Sequence, residues 1–202
     1  MNHIEKKKIA LNLKEIASGI FTTIDKFQED ESLRDAYGVL FSDSKYFVDE
    51  TLSQIFRLRS YIDVVKLEDD LLADTLNVAV LACLLPVSLL KKAGDVRFKT
   101  SKEIEKENKT FKEVLPQKII DISEDILNFE YSLKNKPELI LSNAKNIGSV
   151  NDLKIGAIIT SPPYLNGTNY FRNTKIELWF LRYLQYEKRF ATFSRSGVDK
   201  RH

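Results

Sequence analysis

A stiff tetrapeptide, Ser161-Pro162-Pro163-Tyr164, follows the apolar run of residues 155–159 after a single threonine. The Ser161 hydroxyl and the Pro162 carbonyl are hydrogen-bond acceptors. Neither proline has a backbone N–H and both have a fixed φ, so the corner is rigid and its oxygens stay aimed in one direction. Such a corner is suited to holding one nitrogen through both of its N–H groups.

That requirement is typical of the exocyclic amine of cytosine or adenine. The lone pair of this amine is conjugated into the ring, so the nitrogen is a poor nucleophile until acceptors draw it towards tetrahedral geometry. Tyr164 offers an aromatic face on which an extruded base can stack, worth about 1–3 kcal/mol. The structural alternative is a rigid strand-to-loop turn beside which Tyr164 merely packs.

The elements that position this corner follow from hydrophobic periodicity. Apolar residues spaced by three and four predict helices over residues 4–27, from about 49, over 68–90, over 111–133 and over 173–186. Pro86 is expected to kink or end the third helix, and Pro116 to lie near the first turn of the fourth. Residues 28–45 and 91–110 are predicted to be loops. Residues 138–142 and 154–160 predict two buried, neighbouring parallel strands of an α/β sheet.

Charge is distributed unevenly although the net charge is only +2. Residues 1–90 are net acidic, whereas residues 91–118 and 172–202 are net basic. The basic stretches could face a phosphate backbone, and the arm from Lys91 to Lys112 is a candidate DNA contact. The alternative for each stretch is a solvated helix face or a frayed tail.

Several site types are disfavoured by composition. Cys83 is the only cysteine and lies in an apolar run, which predicts a buried structural thiol and excludes a thiolate metal cage. His3 and His202 lie at the two chain ends, which argues against a His-centred site. The uncharged residues 75–90 fall short of a membrane span, and the N-terminus lacks a signal-peptide core. We expect a cytoplasmic protein that binds neither a membrane nor a metal.

The tetrapeptide is accompanied by Leu165-Asn166, then Tyr170-Phe171-Arg172, then Lys175-Ile176-Glu177-Leu178-Trp179. Together these residues resemble the cytosine-N4/adenine-N6 DNA methyltransferase family, and the serine form of the motif is nearer to the cytosine-N4 members. The resemblance implies that Ser161, Pro162, Pro163 and Tyr164 are catalytic and hold the flipped base beside S-adenosylmethionine.

The resemblance also implies cofactor and DNA contacts. Residues 139–144 resemble the family's preceding strand, whose usual Gly-Asp-Ala end contacts the adenosine; Asn143 stands in place of the acid. Asn143 and Thr160 are therefore assigned to the cofactor. From their own chemistry, Asn166, Asn169 and Asn173 could read base edges, and Arg172 and Lys175 could contact phosphate. Asn166, Arg172 and Lys175 are assigned to DNA; the alternatives are turn-forming asparagines and a solvated helix start. Glu177 and Trp179 are expected to pack and orient their helix.

The implied fold is α/β: a helix-rich part over residues 1–135, then a partial Rossmann-like methyltransferase segment over residues 136–202 with few parallel strands. The family's Phe-x-Gly-x-Gly cofactor loop has no counterpart among the seven glycines, and Met1 begins after its expected place. Only about eighteen residues follow Leu184. We therefore expect a split enzyme whose second polypeptide carries that loop, or a truncated remnant, with little S-adenosylmethionine binding by this chain alone.

Three functions remain open at this point. The first is a DNA amino-methyltransferase subunit or fragment of the kind found in restriction–modification. The second is a non-catalytic helical module that binds protein or DNA and carries a vestigial motif. The third is an RNA or protein amide methyltransferase, which would share the Pro-Pro-Tyr chemistry.

Overall fold

The computed structural model describes residues 3–107, 109–128, 156–160 and 173–185. Two compact units are distinguished within the chain: Met1–Phe129 with Asn169–His202, and Glu130–Thr168. The first unit contains every described helix and strand. In the second unit, only residues 156–160 are described.

Helices dominate the described residues of the first unit. The helices are α1 (His3–Ile24), α2 (Glu31–Leu40), α3 (Asp49–Glu68), α4 (Asp70–Val87), α5 (Ser101–Glu107), α6 (Phe111–Asn128) and α7 (Lys175–Phe180). Two strands, β1 (Leu90–Ala93) and β2 (Asp95–Phe98), form an antiparallel hairpin between α4 and α5.

The core forms where α6 packs against α1 and α4, and α4 packs against α3. The apolar stripe predicted for α1 is confirmed, because Leu13, Ile20 and Ile24 are fully buried at spacings of seven and four. The predicted helices beginning near Asp49 and near Glu68 are also confirmed, as α3 and α4. Phe111 opens α6 and is itself buried against Phe21 of α1.

The loop prediction for residues 28–45 is wrong, because α2 lies within this range. Asp30 is the N-cap of α2, and its Oδ1 accepts a hydrogen bond from the Leu33 N–H at 2.8 Å. Leu33, Ala36 and Leu40 then supply a narrow buried line at spacings of three and four. The polar residues between them are the solvent face of a helix, not a loop.

The loop prediction for residues 91–110 is also wrong, because this range contains most of the hairpin and all of α5. Gly94 turns the hairpin at φ +79°, in the left-handed region that favours glycine. Leu90 and Val96 are buried and attach the hairpin to the helices. The sequence is charged because most of the remaining side chains face solvent.

Helix α4 is long and apolar enough to cross a membrane by length and composition. Core helices pass the same test, and Leu76, Ala79 and Cys83 of α4 are buried among the helices of this unit. Pro86 lies in the last turn, one residue before the helix ends, as predicted.

In the second unit, residues 156–160 form no strand and are exposed. The prediction of a buried strand over residues 154–160 is therefore wrong for this stretch. An extended segment is stable as a strand only when neighbouring strands bond its backbone. The described strands are limited to the antiparallel hairpin, so the described fold is helix-rich with one small sheet, and shows no parallel Rossmann-like sheet.

Candidate functional site

Most of the predicted site residues lie outside the described part of the chain: Asn143, Ser161, Pro162, Pro163, Tyr164, Asn166 and Arg172. Thr160 and Lys175 are described. The structure thus gives the surroundings of the two segments that flank the tetrapeptide, one in each unit.

The N-terminal flank, residues 156–160, is open to solvent. Ile158 is 79% exposed and Ile159 is 99% exposed. Thr160, which is assigned to the cofactor, is exposed as well. Burying an isoleucine side chain fully is favourable by about 1.5–3 kcal/mol relative to leaving it in water. Contact with another apolar surface would therefore stabilise this segment.

The C-terminal flank, residues 173–185, is attached to the helical unit. Asn173 comes first, and its Oδ1 accepts a hydrogen bond from the Val96 N–H of β2 at 3.2 Å. The amide therefore caps the backbone of the hairpin and is committed within the protein. This hydrogen bond joins residues 77 positions apart and holds the start of the flank against the hairpin.

Lys175, which is assigned to DNA, also makes internal contacts. Its Nζ donates to the Leu40 carbonyl at 2.6 Å, at the C-terminal end of α2. The ammonium lies 4.6 Å from the ring centre of Phe41 and 5.7 Å from that of Tyr46. A cation over aromatic faces at a helix C-terminus is doubly favoured. The structure thus places Lys175 as an anchor of α7, and its contact with DNA stays a prediction.

Trp179 is the centre of an aromatic cluster and is fully buried. Its indole Nε1 donates to the Leu33 carbonyl at 3.1 Å, so the one polar atom of the ring is satisfied. Four rings surround it with centroids 5.2–6.2 Å away, those of Tyr37, Phe41, Phe47 and Phe56. The prediction that Trp179 packs and orients its helix is confirmed.

Arg182, which follows α7, takes part in a network of ion pairs. The residue has φ +60° just after α7, a left-handed conformation that a non-glycine residue adopts at a cost of about 1–2 kcal/mol. Its guanidinium pairs with Asp30, the cap of α2, and with Asp63 of α3 at 2.7 Å. Asp63 also accepts from Arg59 at 2.7 Å. The network offsets the backbone strain and joins α7 to two other helices.

Glu177 has no hydrogen-bond partner for its buried Oε2 atom. Burial raises the pKa of this carboxyl above its ordinary value of 4.5, because desolvation disfavours the charged form. Its burial within the described residues is consistent with the expected packing and helix-orienting position.

A small cavity lies beside Asn173 and Lys175, between the hairpin and α7. Its volume is about 30 Å³, which is room for about two water molecules and far too little for a nucleobase. The flank is thus tightly packed where it meets the hairpin, and any base pocket has to involve other residues.

Cys83 is fully buried, and burial raises the pKa of its thiol to about 12. The predicted structural thiol is confirmed, since a protonated thiol is a poor nucleophile. No group of three His, Cys, Asp or Glu side chains that could hold a metal occurs in the described ranges.

No protein-family model matches this chain, and searches of curated proteins and of solved structures gave no significant match either. The function therefore has to be argued from the residues themselves.

Proposed function

We propose that the protein is the base-binding component of an S-adenosylmethionine-dependent DNA amino-methyltransferase, acting on cytosine N4 in preference to adenine N6. In this proposal Ser161, Pro162, Pro163 and Tyr164 hold the flipped base. A second polypeptide supplies the Phe-x-Gly-x-Gly loop and completes a Rossmann-like parallel sheet to which residues 136–172 contribute.

One observation carries the proposal: the tetrapeptide is followed by a helix, α7, that the rest of the chain holds at fixed points. Asn173, Lys175, Trp179 and Arg182 bind the hairpin, α2 and α3. A catalytic corner gains rate only if its acceptors are held in place, so a following helix with several fixed contacts is compatible with the proposal.

The exposed isoleucines support the part of the proposal that requires a companion polypeptide. Ile158 and Ile159 precede the tetrapeptide and have an apolar, β-branched character suited to a central parallel strand. Full burial of both side chains by neighbouring strands would contribute about 3–6 kcal/mol to assembly. The segment is thus suited to becoming a strand when a sheet is offered to it.

In this proposal two residues of this chain contact the adenosine end of the cofactor. Thr160 exposes a hydroxyl and Asn143 carries an amide, and both groups can bond the hydroxyls of a ribose. The bound cofactor would supply an electrophilic methyl group. Ser161 and the Pro162 carbonyl would accept the two N–H groups of the target amine, so that its lone pair is directed at that methyl group. Tyr164 would stack on the base and exclude water from one face.

The direct test is methyl transfer to DNA by the chain reconstituted with its companion, followed with radiolabelled S-adenosylmethionine. Ser161→Ala is expected to lower kcat by about 100-fold or more, because one acceptor aimed at the reacting nitrogen is lost. Tyr164→Ala is expected to raise KM for DNA, since about 1–3 kcal/mol of stacking is lost.

The matched control is Tyr183→Ala, which removes a tyrosine ring that is 57% exposed. Its activity should equal that of the parent chain. Equal activity of Ser161→Ala and the parent would refute the catalytic assignment. Calorimetric titration of the chain alone with S-adenosylmethionine should give little heat, and micromolar binding would remove the need for a companion.

The second candidate is a non-catalytic helical module that binds DNA. The helical unit favours it, because this unit buries a core of its own and carries a basic surface on the hairpin side. Under this alternative the reconstituted pair would bind DNA, and no tetrapeptide variant would change methylation.

A further inference from the structure

A cleft of about 330 Å³ opens where the end of α4 meets the hairpin. We call it the lysine cleft. Its lining residues are Leu85, Pro86, Leu90, Lys91, Lys92, Lys99 and Lys109. All four charged residues in this lining are lysines, and the other three side chains are apolar.

The fold brings these lysines together from separate parts of the chain. Lys91 and Lys92 lie on β1, Lys99 follows β2, and Lys109 precedes α6. The Lys99 amide donates to the Leu89 carbonyl at 2.8 Å, and its ammonium donates to the Ser88 carbonyl at 2.7 Å. The ammonium is therefore held at the C-terminal end of α4, where a helix favours positive charge.

Two acids are associated with this hairpin, Asp95 on β2 and Glu103 of α5, and neither is part of the cleft lining. The Glu103 carboxylate pairs with both terminal nitrogens of Arg97 at 2.8 Å and with Lys91 at 3.2 Å. Arg97 beside it holds the pKa of Glu103 well below its usual range. Glu103 thus braces the hairpin and offsets the charge of one of the cleft lysines, Lys91.

Lys92 and Lys109 stand at the solvent side of the cleft and are exposed. Neither forms a salt bridge with another residue in the described ranges. Hydrogen bonds from Thr110 and the charge of Lys109 hold the pKa of Glu113 below its usual range, so one carboxylate competes with an anion at Lys109.

We propose that the lysine cleft binds the phosphate backbone of DNA without reading its sequence. This inference rests on the proposed function, because it assigns a DNA contact of the same enzyme to residues other than the tetrapeptide. Lysines contact phosphates as point charges, and no aromatic ring lines the cleft on which a base would stack. Of the four ammonium groups, that of Lys91 is paired with Glu103, and the other three still carry more charge than one phosphate needs, which favours a chain of phosphates over a single small anion.

The test is the salt dependence of binding to a fluorescent 20-base-pair duplex of arbitrary sequence, using the full chain. Removing two phosphate contacts by Lys92→Ala with Lys109→Ala should reduce the slope of log K against log salt by about two. Affinity at 0.1 M salt should fall by at least about tenfold.

The matched control is Lys14→Ala with Lys26→Ala, which removes the same charge from two exposed lysines outside the cleft. The control should reproduce the parent slope, and both double variants should melt at the parent temperature. Equal slopes for the two double variants would overturn the inference. Binding to phosphatidylserine vesicles but not to the duplex would overturn it as well.

Failure of this inference can be told apart from failure of the proposed function. Ser161→Ala should keep the parent salt slope while losing methyl transfer in the reconstituted pair. If the Lys92→Ala, Lys109→Ala variant keeps the parent salt slope while the reconstituted pair methylates DNA, the cleft inference is refuted and the proposed function stands. If that variant has a reduced salt slope but the reconstituted parent pair never methylates DNA, the enzyme proposal is refuted and the cleft remains a DNA-binding surface.

Discussion

The two flanks of the tetrapeptide differ in almost every physical respect. On the C-terminal side, Trp179 is fully buried and its helix is tied to three other elements. On the N-terminal side, Ile159 is 99% exposed and its backbone belongs to no strand. Both flanks are apolar in sequence, so composition alone does not explain the contrast.

The difference shows that an apolar segment is buried only when a matching surface exists. Trp179 enters a ring of aromatic side chains on and around α2 and α3, where its N–H also finds a carbonyl. Residues 156–160 need something else, a neighbouring strand that bonds their backbone and covers their side chains. Under the proposed function, the C-terminal flank contributes to the fold of this chain and the N-terminal flank to assembly with the companion.

The largest effect is expected from Trp179→Ala. Truncating a fully buried tryptophan removes its transfer free energy and leaves a cavity, so the free energy of unfolding should fall by about 3–5 kcal/mol. Chemical denaturation measures this loss. Tyr183→Ala, at the exposed end of the same flank, should cost less than about 0.5 kcal/mol. Similar losses for both variants would mean that the flank is not anchored through the core.

Arg182→Ala should have the next largest effect. The substitution leaves Asp30, whose side chain is only 7% exposed, without its arginine partner. Because Arg182 is itself 30% exposed, the expected loss is about 2 kcal/mol, below that for a fully buried pair. Arg34→Ala, which breaks a more exposed pair with Glu29, should cost about 0.5 kcal/mol or less. A double-mutant cycle between Arg182 and Asp63 that shows no coupling would contradict the network.

Replacing Ile158 and Ile159 by serine tests the other flank. Neither side chain is buried, so the free energy of unfolding of the isolated chain should change by less than about 0.5 kcal/mol. Affinity for the companion should fall by at least about 100-fold, because about 3–6 kcal/mol of apolar burial is lost. A large loss of stability in the isolated chain would show that these residues are already covered.

The smallest effect is expected from Glu177→Gln, and it depends on pH. Burial raises the folded-state pKa above 4.5, so the stability associated with the protonated carboxyl is complete below pH 4.5 and is lost as pH rises through the raised pKa. Glutamine stays neutral and escapes this loss. The melting temperature of the variant relative to the parent should therefore rise between pH 4 and pH 8. A difference that does not vary with pH would place this carboxyl in water.

The helices of the first unit were predictable where apolar residues recur every three or four positions over several turns. The apolar stripe of α1 and the apolar length of α4 predicted both helices, with ends that differ from the structure by one to three residues. The fourth predicted helix is found as α6, although Pro116 lies at its sixth position, beyond the first turn.

Shorter elements were missed although local signals precede them. Thr100 and Glu103 form a capping box at α5, with Thr100 N donating to Glu103 Oε2 at 2.9 Å. Thr110 and Glu113 repeat it at α6, at 2.8 Å. Each box is a Thr-x-x-Glu sequence. Reading the first box would have predicted α5, and the second supports the predicted start of α6 at Phe111.

The contacts of the candidate site were not predictable in the same way. The bond from Val96 to Asn173 and the approach of Lys175 to Phe41 join distant parts of the sequence. Periodicity reports which face of a helix is buried but not which helix covers it. The lysine cleft was visible only as a basic stretch, because its shape depends on the hairpin that Gly94 permits.

The most direct measurement for the central claim is mass spectrometry of nucleosides from DNA exposed to the chain together with its companion. We predict N4-methyl-2′-deoxycytidine in the parent sample and its loss with Ser161→Ala. DNA without any methylated nucleoside, or the same yield with and without the Ser161 hydroxyl, would contradict the account.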